Sequence, residues 1–117
     1  MSTSEKELVE ASDAISNREF EKALRILQPL VEREVASALG LMGLMYQLGE
    51  GVELNAPKAV ELLSRAVELG DGTAAHNLAT IYVIGLPGVP RDPDRGKRYY
   101  RMAKEMGAQY APDSFYD

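Results

Sequence analysis

The sequence predicts an all-α fold, a short α-solenoid of about three helix-turn-helix repeats, on the strength of three observations. First, the chain repeats itself. Ala38, Met42, Gly43, Tyr46, Gly49, Gly51 and Val52 return in order as Ala74, Leu78, Ala79, Tyr82, Gly85, Gly88 and Val89. The offset is 36 residues between Tyr46 and Tyr82 and 37 between Gly70 and Gly107, because the second loop carries one inserted residue. Second, each unit holds two apolar runs at helical spacing, and no segment alternates as a strand would. Third, the 117 residues, 45% of them hydrophobic, suit one domain with an ordinary core, residues 1–117.

The elements follow in order. A first helix is expected from Ser4, whose spacing to Glu7 fits a capping box, with Leu8, Ala11, Ala14 and Ile15 on its apolar stripe. A turn at Asn17 leads to a second helix from about Glu19, striped by Phe20, Ala23, Leu24, Leu27 and Leu30, with Pro29 late enough to kink or shorten it. The third, from about Glu34 to Leu48, is apolar on nearly every side, which predicts burial between neighbours. Gly49 and Gly51 end it. Asn55 caps the fourth helix and Pro57 suits its first turn. Ala59, Leu62, Leu63, Ala66 and Leu69 follow before Gly70. The fifth starts near Asp71 or Thr73 and carries Ala75, Leu78, Ala79, Ile81 and Tyr82. Asp92 caps the sixth, with Pro93 at its first position and Tyr99, Tyr100, Ala103 and Met106 on its stripe. Six helices thus form three antiparallel pairs.

Composition narrows the function. The net charge is −5, but residues 91–104 carry Arg91, Arg95, Lys97, Arg98, Arg101 and Lys104 against Asp92 and Asp94. An acidic body with one basic segment argues against nucleic acid, which needs a broad positive face, and is compatible with a basic protein partner. No apolar run reaches the length of a membrane span. Without cysteine there are no disulfides or thiolate metal sites. The polar, acidic start resembles neither a signal nor a transit peptide, which predicts a cytoplasmic protein.

Little here points to chemistry, and neither a cofactor nor a metal site is expected. His76 is the only histidine and has no nucleophile at a defined spacing. Asp92 and Asp94 read as a cap and a first-turn acid rather than a catalytic pair. The Gly49–Gly51 turn follows a helix, not a strand, and lacks the lysine of a phosphate loop. The basic run reads first as a solvated helix face, with an anion or acidic-partner patch as the sharper alternative.

The two full units resemble Sel-1-like repeats, a branch of the tetratricopeptide superfamily. The resemblance is carried by Tyr46-Gln47-Leu48-Gly49-Glu50-Gly51-Val52, then Lys58-Ala59, Ala66 and Gly70, and in the second unit by Tyr82, Gly85, Gly88-Val89, Asp92, Tyr99-Tyr100, Ala103 and Gly107. These units span 36–70 and 73–107, and residues 4–34 look like a plainer tetratricopeptide unit around Phe20-Glu21-Lys22-Ala23-Leu24. The chain departs from the pattern at Ala79, where glycine is common, at Gly96, where alanine is usual, and in the longer second loop. Gly96 is expected to weaken the sixth helix by about 1 kcal/mol relative to alanine. Residues 108–117 begin like another unit, but Pro112 interrupts it, so Tyr110, Phe115 and Tyr116 read first as a C-terminal cap, with a tail that docks into another molecule or another copy as the alternative.

The resemblance implies a right-handed solenoid whose first helix in each pair lines a concave, partner-binding face. By position this gives Leu8, Ser12 and Ile15 in the first unit, then Ser37, Gly40, Leu44, Gln47 and Leu48 in the second. The third contributes Thr73, His76, Thr80, Val83 and Ile84. Glu5, Glu7, Glu50 and Glu53 are placed to form an acidic rim. It further implies a non-catalytic module that binds a protein or peptide partner, an adaptor or an inhibitor such as a bacterial toxin-immunity protein. The alternative is a structural element that self-associates through its terminal surfaces.

Overall fold

The computed structural model describes residues 1–108. It contains α1 (Thr3–Ser16), α2 (Phe20–Glu32), α3 (Ala36–Leu48), α4 (Ala56–Glu68), α5 (Gly72–Ile84) and α6 (Pro93–Glu105). Among the described residues the sole β feature is an isolated Leu86–Val89 bridge in the loop before α6. The expected cap of Tyr110, Phe115 and Tyr116 lies outside the described residues.

Local chemistry explains where the helices begin. Asn55 and Asp92 each accept a backbone N–H three residues on, from Lys58 at 3.1 Å and Arg95 at 3.2 Å, and a proline sits in the first turn of both helices. At α1 the cap is Ser2 rather than Ser4, its hydroxyl accepting the Glu5 N–H at 3.1 Å. Ser2–Glu5 repeats the Ser4–Glu7 spacing two residues earlier, and the earlier register gives the longer helix. α3 starts later than expected because Glu34 has φ +55°, a left-handed conformation that ends the preceding turn instead of opening a helix. Gly70 and Gly107 occupy the same place after α4 and α6. Pro29 does not break α2, which runs on to Glu32. Its missing hydrogen bond would have gone to Arg25, and both residues face solvent, where water can serve the carbonyl.

Three helical hairpins result. α1 packs on α2, α3 on α4 and α5 on α6, and successive hairpins join through α2–α3 and α4–α5. α3 also touches both α1 and α5, whereas α2, α4 and α6 do not touch one another. The first helices of the pairs therefore form the close inner layer and the second helices splay outward, which makes the α1–α3–α5 side concave. Leu27, Leu30, Leu39, Met45, Leu63, Leu78 and Ile81 fill the core, each almost without solvent contact and worth roughly 1.5–3 kcal/mol of burial. Small residues set the helix spacing. A Cβ on Gly43 would lie 2.8 Å from Leu63 Cγ, and one on Gly96 would lie 2.7 Å from Val83 Cγ2.

Candidate functional site

Because α3 and α5 lie side by side on the concave face, their exposed edges enclose a groove. It contains two hollows. The first, about 180 Å³, is lined by Ser37, Gly40, Leu41 and Leu44 from α3 and by Thr73, Ala74 and Asn77 from α5, with Asp71 at the α5 N-terminus. The second, about 170 Å³, lies nearer the helix C-termini between Gln47, Leu48, Thr80, Ile81, Ile84 and Leu86. Leu48 and Ile84 flank it with 51% and 65% of their surface exposed, so the apolar edge of the groove is open to a partner.

Ser37, Asp71, Thr73, Asn77, Gln47 and Thr80 supply the polar groups of the groove. Asp71 caps α5, its Oδ1 accepting the N–H groups of Thr73 at 3.0 Å and Ala74 at 3.3 Å. Partial burial pushes its carboxyl above the ordinary 3.8, against the opposing pull of those two N–H groups. Its Oδ2 lies over Gly40, where a side chain on α3 would collide with it. Gln47, which lines the second hollow, is 9% exposed, and its buried Oε1 has no hydrogen-bond donor among the described residues. The Thr80 hydroxyl is turned to its own helix and donates to the His76 carbonyl at 3.2 Å.

The structure brings together Ser37, Gly40, Leu44, Gln47, Leu48, Thr73, Thr80 and Ile84 from the expected set. His76 and Val83 line neither hollow. The His76 ring meets Tyr100 of α6 edge-on at 5.4 Å, and Val83 packs over Gly96. Both face α6, and because α5 is apolar nearly all round, spacing alone does not separate its inner face from its outer one. Burial pushes the His76 imidazole below its ordinary 6.5. Leu8 and Ile15 of α1 pack onto the core, and Ser12 is exposed but lines neither hollow. Glu5, Glu7, Glu50 and Glu53 also lie outside both, which leaves Asp71 as the charged group of the groove among the described residues. Sequence reasoning had placed Asp71 merely at a helix start. The available signal was its position one period after Val35, at the mouth of the face that Gly40 opens.

Elsewhere, Arg95 of α6 lies over the Tyr82 ring at 5.1 Å, and Tyr82 stacks on Tyr99 at 5.8 Å. With Arg98 and Met102, Arg95 and Tyr99 border a shallow hollow on the outer side. Among the described residues no three His, Asp or Glu side chains gather as metal ligands would, and no helix is long and apolar enough to cross a membrane.

The family model described as Sel1 repeat matches residues 36–71 and 72–107. A Sel1 repeat protein from Oxalobacter formigenes superposes with a TM-score of 0.74 and 27% identity, over 85% of this chain and 39% of its own. The structure of c5321, a protective antigen present in uropathogenic Escherichia coli strains displaying an SLR fold, gives a TM-score of 0.75 at 22% identity. That match covers 89% of this chain and 23% of c5321. The chain thus spans well under half the length of either solved relative. No curated protein matches it.

Proposed function

The chain belongs to the Sel1 repeat family, whose members generally serve as protein-interaction modules, and from that premise we propose that it is a non-catalytic binding protein whose α3–α5 groove holds a segment of a protein partner. One observation carries the reading. The concave face carries two hollows between α3 and α5, apolar over most of their lining area, with Leu48 and Ile84 left exposed at the open edge. Burying such an edge favours association, and the polar groups inside the hollows fix the register.

Within this class we place the protein among inhibitors or adaptors, which act by occupying a partner; a toxin-immunity protein of a bacterial cytoplasm is one such inhibitor. A photo-crosslinking residue in place of Ile84 should join the partner, and the same residue in place of Met102 on α6 should not. A crosslink at Met102 alone would move the site to the outer face.

A second reading, end-to-end self-association, draws on the charges of the terminal helices. α1 bears Glu5, Glu7, Glu10 and Asp13 against Lys6, while α6 bears Arg95, Lys97, Arg98, Arg101 and Lys104 against Asp94 and Glu105. Sedimentation that does not change with concentration or salt would reject it.

A further inference from the structure

We propose that the groove selects a segment of its partner that carries a cationic side chain and, about 10 Å along, an aliphatic one, with Asp71 receiving the cation and the Gln47 hollow receiving the aliphatic side chain together with an N–H donor. This rests on the groove being the docking site and names what it takes.

Charge is the first argument. Among the described residues no lysine or arginine lines either hollow, and Asp71 is their one ionisable group. Its Oδ1 is spent on the N–H groups of Thr73 and Ala74, which answers the positive end of α5. Oδ2 remains, held against Gly40 inside the first hollow beside Leu41 and Leu44. That arrangement fits a lysine or arginine whose hydrocarbon stem lies on the leucines while its head meets the carboxylate.

Gln47 supplies an independent argument. A nine-tenths buried carboxamide oxygen without a donor is unfavourable in the free protein. The repeat does not demand it, since the equivalent position of the second unit is Val83, an apolar residue packed on α6. Nor does the repeat demand Asp71, whose counterpart before α3 is Val35, a cap without a side-chain bond. Both polar choices therefore fall in the groove and are absent at the matching places. The oxygen is closed to solvent in the free protein, so a donor carried in by a partner completes the bond as the carboxamide turns into the hollow.

Spacing sets the motif. Gly40 lines the first hollow and Gln47 the second, two helical turns apart on α3, hence the separation of about 10 Å. A polyproline II segment advances about 9 Å in three residues and returns to the same face, so the cation and the aliphatic residue should be three positions apart.

The test is selection from a display library of random linear peptides on the whole protein. Enriched peptides should share a lysine or arginine three positions from leucine, isoleucine or valine. Each should lose about tenfold in affinity on Asp71→Asn, which keeps the helix cap, and on Gln47→Leu. Gln47→Leu should at the same time hold or raise the melting temperature, whereas a glutamine kept for stability would lower it. Acidic peptides that still lose binding on Leu44→Glu or Ile84→Glu would overturn this specificity and leave the groove in place. Peptides indifferent to Leu44→Glu and Ile84→Glu would overturn both. No enrichment, or affinities unmoved by Asp71→Asn, would also overturn the proposed specificity.

Discussion

Gly43 and Gly96 determine how closely two of the hairpins close. Gly43→Ala should cost about 1–3 kcal/mol in thermal or denaturant unfolding, because Leu63 lies where the new methyl group would go. Gly96 reverses an expectation drawn from propensity alone. Alanine there gains about 1 kcal/mol as a helix former, yet its methyl group would sit 2.7 Å from Val83 Cγ2 and 3.2 Å from the Ala79 carbonyl. Gly96→Ala should therefore destabilise the wild type and become favourable once Val83→Ala removes the obstruction. Asp71 makes a pH-dependent contribution. Its carboxyl is raised in the folded state, so the folded protein holds that proton more tightly than the unfolded chain. The associated stability is complete below the ordinary 3.8 and is lost as pH rises through the folded value. Asp71→Asn keeps the cap without the desolvated charge, and its stability relative to wild type should improve from acid to neutral pH. His76 works in the opposite sense. Its lowered value gives stability that is present above 6.5 and lost as pH falls through the folded value.

At the scale of elements, caps decide what a sequence reveals. Asn55-Ala56-Pro57 and Asp92-Pro93 state both cap and first turn, and α4 and α6 start where those residues say. Asn55→Ala should cost about 1 kcal/mol by thermal denaturation. Two boundaries were less legible. Ser2–Glu5 and Ser4–Glu7 offer overlapping registers, and Glu34 takes a left-handed conformation that glycine advertises at Gly70 and Gly107 but glutamate conceals. The same contrast holds in the groove. Leu44, Gln47, Leu48, Thr80 and Ile84 were readable by position once the family resemblance made α3 and α5 inner helices. His76 and Val83 were not, because a helix apolar on all sides leaves its inward direction to packing. Asp71 was hidden by its second role, since a capping residue needs no further explanation until Gly40 is seen beneath it.

Across the whole molecule, three hairpins give an inner layer in contact and an outer layer spread apart, and that difference makes the concave side. The two faces then divide by chemistry. The inner groove is apolar with acceptors Asp71 and Gln47, while α6 presents Arg98, Arg101 and Met102 outward. Val60 and Val67 of α4 correspond to Lys97 and Lys104 of α6, which gives that last described helix a charged outer face where α4 is half-buried. On the proposed reading, apolar docking belongs to the groove. The most direct measurement is the affinity of a crosslinked and identified partner for wild type, for Leu44→Glu with Ile84→Glu, and for Arg98→Glu with Met102→Glu, each first shown to be folded by circular dichroism. A loss of at least about tenfold in the groove variant, with the α6 variant unchanged, is the predicted result. Unchanged binding by the groove variant with loss in the α6 variant would contradict it.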